Sequence, residues 1–278
     1  MENKKAIKYL VLLIVCLLLM FLGSVLVLFI AVAPLKSISG YSGETITEAL
    51  TVFQNYFSSK DYNGTLTWAE YAESYFDNDP VLFKNIKTFY CAIQFISYMP
   101  LLIVIVFFLR EEFAEDFQSF KKNFKRNIIL IVCGFGGMLL IASIVNTIYE
   151  VLEITGASAN EATINLLLDS PGMILMVIAV VILAPITEEV IFRKLLMGTC
   201  ETTFKFPPVV AIIISSLVFS FIHVSDLESL KFIFQYLALA VPICVVYHLS
   251  KNNIFVTIIV HVLNNFLSVV ATLWMLGR

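Results

Sequence analysis

Charge is what this chain has least of. Asp, Glu, Lys and Arg together make up 14% of its 278 residues, where a soluble domain carries about a quarter. A net charge of −3 with no basic face argues against a nucleic-acid partner. There are 3 histidines and no H-E-x-x-H motif to place two of them on a zinc-binding helix face. The five cysteines, Cys16, Cys91, Cys133, Cys200 and Cys244, form no C-x-x-C pair. They therefore suggest neither a disulfide framework nor a thiolate metal knuckle and read as small packing residues. Gly and Pro are sparse, and no low-complexity tract or internal repeat interrupts the chain.

Apolar residues are abundant, at 59% with a mean hydropathy of +0.91. Several uncharged runs approach or exceed the roughly 18 to 20 residues that cross about 30 Å of hydrocarbon as a helix. The pattern predicts an all-α, polytopic transmembrane helical bundle with spans near Ile7–Val32, Thr88–Leu109, Ile128–Tyr149, Gly172–Gly198, Pro207–Val224, Phe232–Leu249 and Ile254–Leu276. That makes seven, or eight if Pro185 divides the fourth, since proline has no N–H for a helix and disfavours helical geometry at Ala184. The first run begins with the basic stretch "MENKK" but is too long for the apolar core of a signal peptide, and Pro34 follows the "AVA" cleavage candidate. It reads as a retained span.

Four regions follow: an N-terminal transmembrane segment (1–35), an acidic extramembrane insert (36–86), two further spans with a basic loop (87–170) and a C-terminal core (171–278). The insert sets Glu44, Glu48, Asp61, Glu70, Glu73, Asp77 and Asp79 against Lys36, Lys60 and Lys84, with room for short amphipathic helices. The 110–126 loop ends in Lys121, Lys122, Lys125 and Arg126, whereas residues 150–169 carry no Lys or Arg. Counting basic residues alone places the N-terminus and the 110–126 loop in the cytoplasm and the insert outside. The "CGFGGM" stretch lets another helix approach closely.

Ionisable residues inside the spans are Glu188, Glu189, Arg193, Lys194, His223, His248 and His261. A charge at the bilayer centre costs at least about 2.5 to 3.5 kcal/mol, so each needs a reason. Lys194 and His248 lie near segment ends, where snorkelling to the interface suffices. The others fall into pairs four apart, on one helical face: Glu189 with Arg193, Phe219 with His223, and His261 with Asn265. Glu188 is left without a local partner. If the chain turns near "TFKFPP", Glu188 and His223 are both roughly 22 Å from the turn at about 1.5 Å per residue and can face each other. The last helix must be offset or tilted to bring His261 and Asn265 to them.

A carboxylate beside an imidazole in a low-dielectric pocket can take a proton from water and pass it to a leaving group. Neutral His261 and Asn265 can donate hydrogen bonds to an oxygen gaining charge. Together they describe amide hydrolysis without a covalent enzyme intermediate and without a cofactor. A zinc set of Glu188, His223 and His261 is the alternative. So are a Glu–Arg pair that only locks helices, and a transporter or proton pathway, which also uses buried Glu and His.

"EEVIFR", "FSFIH" and "HVLNN", read as E-E-x-x-x-R, F-x-x-x-H and H-x-x-x-N in that order, resemble the CPBP family. This group includes the CAAX prenyl endopeptidases and bacterial Abi or bacteriocin-immunity proteins. The likeness runs from about Pro171 to Leu276. It implies an intramembrane endopeptidase in which Glu188 activates water with His223, and His261 and Asn265 form the oxyanion site. Glu189 and Arg193 would hold the helices and the base, and Phe219 would support His223. The implied partners are the lipid bilayer and a peptide or protein substrate, prenylated or not. A catalytically silent scaffold regulating a membrane partner through the same pocket is the rival reading. The glycine often found after the motif arginine is Lys194 here. The short N-terminus, compact size and absence of targeting tails suit a multi-pass protein of a bacterial plasma membrane.

Overall fold

The computed structural model describes every residue except Met1, Ser59, Asp61, Gly64, Ser225, Asp226 and Arg278, and leaves out the side chains of residues 2–3, 24 and 26–39. Among the described residues the regular elements are helical: α1 (Glu2–Ser39), α2 (Gly43–Gln54), α3 (Trp68–Asn78), α4 (Pro80–Lys122), α5 (Phe124–Val151), α6 (Ala159–Leu168), α7 (Met173–Thr202), α8 (Pro208–His223), α9 (Ile233–Leu249) and α10 (Ile254–Met275). Six stretches are long and apolar enough to cross a membrane. They are Lys4–Gly23 within α1, then α4, α5, α7, Ser229–Leu249 and α10, with the 16-residue α8 as a shorter apolar helix. The polytopic helical bundle expected from the sequence is the architecture found, with seven apolar helices in the expected places. The first span's expected side chains at 26–32 lie outside the described residues.

Three local expectations need correction. Pro185 does not divide α7. Ala184 N–H bonds to Ala179 O, five residues back, within a π-helical stretch (Ala179–Leu183). Pro185 has no N–H to continue that ladder, and the next carbonyl, Val180 O, is met instead by Asn265 Nδ2 of α10 at 2.9 Å. A side chain from a neighbouring helix thus supplies the bond that proline removes, and α7 runs on through a second π-helical stretch (Glu189–Met197). The 110–126 segment is not a loop. Rich in helix formers and free of Gly and Pro, it extends α4 to Lys122 before the break at Asn123. Lys194 does not snorkel. It is 4% exposed and forms an ion pair with Asp116 in that extension of α4.

Packing follows from which helix is covered. The middle of α7 buries Val190, Ile191, Phe192 and Leu195 against Leu101 and Ile105 of α4, Phe219 of α8 and Cys244 of α9. The outer face of α5 instead exposes Ile129, Val132, Leu140 and Ile144, as a lipid-facing surface does. Cys133 lies on that exposed helix, and the other four cysteines are buried. In "CGFGGM" the close approach is at Gly134, where an added Cβ would stand 2.5 Å from Val246 Cγ2 of α9. The acidic segment folds into amphipathic α2 and α3, the latter started by a Thr67–Glu70 capping box. Their apolar faces, Ile46, Leu50, Phe53 and Phe76, join Leu167 and Leu168 of α6 and Val269 of α10 in one cluster. Lys8 to Glu112 at 2.6 Å ties the start of α1 to the far end of α4, so the two run antiparallel.

Candidate active site

Three helices, α7, α8 and α10, bring Glu188, Glu189, Arg193, His223, His261 and Asn265 to one place. Glu188 and Glu189 stand where α7 passes into its second π-helical stretch, a geometry often found at functional positions. Adjacent residues on a helix point in different directions, so the two carboxylates serve different neighbours. Glu189 is fully buried and faces Arg193 Nε at 3.3 Å through Oε2, while its Oε1 accepts from His261 Nδ1 at 2.8 Å. The Arg193 guanidinium lies 4.7 Å over the Phe219 ring. The i, i+4 pair read from the sequence is present, and it also clamps α7 to α10 through His261.

Glu188 is turned the other way. Its Oε2 stands 3.9 Å from His223 Nε2 and 3.8 Å from His261 Nε2, so both imidazoles converge on one carboxylate oxygen. The antiparallel pairing of Glu188 with His223 across the α7 to α8 turn is the arrangement found, and α10 is offset so that His261 joins them. Each ring is fixed from behind. His223 Nδ1 donates to the Phe219 carbonyl at 2.8 Å, and the Phe219 ring lies against the His223 ring with centroids 4.4 Å apart. His261 Nδ1 donates to Glu189. Locking the Nδ1 side leaves each Nε2 facing the open space beside Glu188.

This count of donors changes one expectation. With its Nδ1–H given to a carboxylate, a neutral His261 can only accept at Nε2; donation to an oxyanion from there requires the ring to carry both protons. Asn265, in turn, spends one N–H on Val180 O and accepts from Asn264 at its oxygen, keeping its second N–H. His248 takes no part and lies exposed at the end of α9. Among the described residues no group of three or more His, Cys, Asp and Glu is placed to hold a metal ion.

Glu188, His223, His261 and Asn265 share a chamber of about 360 Å³. Its far walls come from helices to which sequence reasoning assigned no function. Gln94 and Tyr98 of α4, Asn146 of α5 and Asn160 of α6 face it, as does Tyr236 of α9. Tyr236 packs its ring on His223, centroids 4.9 Å apart, and its hydroxyl meets Ser158 Oγ at 2.5 Å. A second, smaller cavity reaches Glu188 and His223 from the side of α1 and α4, past Met20, Ser97 and Thr187. Single Tyr and Gln residues within apolar helices carry no spacing signal, and only the fold gathers them.

A family model described as Rce1-like, type II CAAX prenyl endopeptidase, matches residues 170–267. The chain is also similar to a Bacillus subtilis (strain 168) protein described as "Putative membrane peptidase YdiL", 31% identical over 183 residues that cover 64% of this chain and 70% of that relative. No solved structure matches.

Proposed function

The chain belongs to the CPBP family of intramembrane proteases, of the CAAX endopeptidase type, and from that premise we propose that it hydrolyses an internal peptide bond with water activated by Glu188. The observation that carries this reading is the convergence of two Nδ1-anchored imidazoles on Glu188 Oε2, at 3.8 and 3.9 Å, inside a chamber. Atoms at that separation can share one water at the ordinary hydrogen-bond distance of about 2.8 Å.

In the proposed reaction Glu188 takes a proton from a water also held at His223 Nε2, and the hydroxide oxygen bonds to the substrate carbonyl carbon. The developing oxyanion is received by the second N–H of Asn265 and, with the ring doubly protonated, by His261 Nε2–H. The C–N bond then breaks as the proton is returned to the leaving amine through Glu188 or His223. No acyl-enzyme forms. Arg193 holds Glu189 in place, and Phe219 supports both the Arg193 guanidinium and the His223 ring.

Zinc, the alternative, would take Glu188, His223 and His261 as ligands. The donor types suit it, but as placed they do not form a metal-holding group, and no step here runs through a metal. Zinc present in stoichiometric amount in purified active protein, with activity lost on chelation, would overturn the metal-free mechanism.

The substrate is a membrane-associated peptide or protein in a bacterial plasma membrane, and CAAX processing, peptide maturation and bacteriocin self-immunity are the settings that suit the chemistry. Glu188→Ala and His223→Ala should each abolish both the biological phenotype and cleavage of candidate peptides. A phenotype that survives both would favour a scaffold that uses the pocket only for binding.

A further inference from the structure

The chamber wall carries a charge pattern that water activation does not use. Apart from Glu188, the carboxylate among its described lining residues is Glu161, and no Lys or Arg lines it. The remaining polar lining is rich in amides, including Gln94, Asn146, Asn160, Asn165, Gln235 and Asn264. Such side chains offer both donors and acceptors, the complement of an extended peptide backbone. Glu161 sits in the first turn of α6, whose start is capped by Ser158 Oγ, and it forms no ion pair among the described residues. It is exposed, yet lies close enough to the wall for burial to raise its carboxyl above the ordinary value.

A substrate's terminal carboxylate would need a cation or a free helix start to receive it. No Lys or Arg stands among the described lining residues, His261 Nε2 is assigned to the oxyanion in the proposed reaction, and the α6 start is already occupied by its own cap and an acid. The segment that leads through α6 is acidic in composition as well: residues 150–169 hold Glu150, Glu153, Glu161 and Asp169 with no Lys or Arg, although Asp169 is paired with Lys87 at 3.9 Å.

We propose that the chamber receives an extended internal segment of a basic peptide, its backbone met by the Asn and Gln side chains and a Lys or Arg side chain paired with Glu161, and that it does not read a free C-terminus. The inference rests on the peptidase reading but concerns recognition, so the two can fail separately.

The test uses the full chain in lipid nanodiscs and matched peptides that carry Lys, Ala or Glu at successive positions, each with a free or amidated C-terminus. Binding is measured on the Glu188→Gln protein and cleavage on the wild type. The best-placed Lys peptide should bind about tenfold more tightly than its Glu counterpart, equivalent to about 1.4 kcal/mol. That preference should fall to near parity when Glu161→Gln is added and invert with Glu161→Lys, and amidation should leave it unchanged. Equal binding of Lys and Glu peptides, a Lys preference that survives Glu161→Gln, or loss of binding on amidation would overturn the proposal. If the wild type cleaves none of the peptides while the Lys preference holds, the peptidase reading fails and this one stands. Cleavage without charge preference has the opposite meaning.

Discussion

Residues 171–278 and residues 1–170 meet at one chamber and bring different chemistry to it. From the C-terminal part come Glu188 and, each oriented by a partner on another turn or another helix, His223, His261 and Asn265. From the N-terminal part come Gln94, Tyr98, Asn146, Asn160, Glu161 and Asn165, all outside the family-matched residues 170–267. His223, His261 and Asn265 are held from behind by hydrogen bonds; the wall that faces them is polar and carries Glu161, which forms no ion pair among the described residues. In the proposed reading the reaction falls to the C-terminal stretch and most of the selecting wall to the N-terminal one, with Gln235, Tyr236 and Asn264 added from the C-terminal side, and each can be altered with a distinct readout.

Changes on the reacting side should have the largest effects. His223→Ala removes the ring proposed to share water with Glu188 and should lower kcat by about 10²- to 10⁴-fold with little change in the thermal unfolding midpoint. An equal loss of activity and of folded protein would mean that His223 is structural. Glu189→Gln should behave differently from any change at its neighbour Glu188. It leaves the fully buried Arg193 without its anion, at a cost of about 3 to 5 kcal/mol, so the unfolding midpoint should fall together with activity.

Asn265 connects the two kinds of effect. Asn265→Ala leaves Val180 O unmet beside Pro185, a loss of about 1 to 3 kcal/mol, and also removes an oxyanion donor worth about 10²- to 10³-fold in kcat. Adding Pro185→Ala restores a backbone N–H near Val180 O and should recover stability without recovering activity. Joint recovery would show that Asn265 acts only as a helix cap. The smallest expected effect is that of Glu161→Gln, which should leave turnover of neutral peptides unchanged and cost about tenfold only for basic ones, a discrimination read from paired kcat/KM values.

Much of the reacting side could be read from the chain because its information is local. Spacings of four place Glu189 with Arg193, Phe219 with His223 and His261 with Asn265 on shared helix faces, and helix rise puts Glu188 level with His223. The sequence was misleading where a partner comes from far away. Lys194 resembles an interfacial lysine until Asp116, 78 positions earlier, is brought beside it. Pro185 resembles a break until Asn265 arrives from α10 to meet the carbonyl it strands. His261 looks like a ready donor until its Nδ1–H is committed to the Glu189 carboxylate. The selecting wall was not legible for the same reason: Tyr236 and Asn160 are unremarkable in their own helices and acquire a role only through tertiary packing around His223.

The most direct test compares cleavage of one basic peptide by the purified wild-type chain and by Glu188→Gln in the same lipid preparation, with thermal unfolding followed in parallel. The account predicts a fall in kcat of at least about 10²-fold at an unchanged unfolding midpoint. Cleavage by Glu188→Gln at the wild-type rate would contradict it.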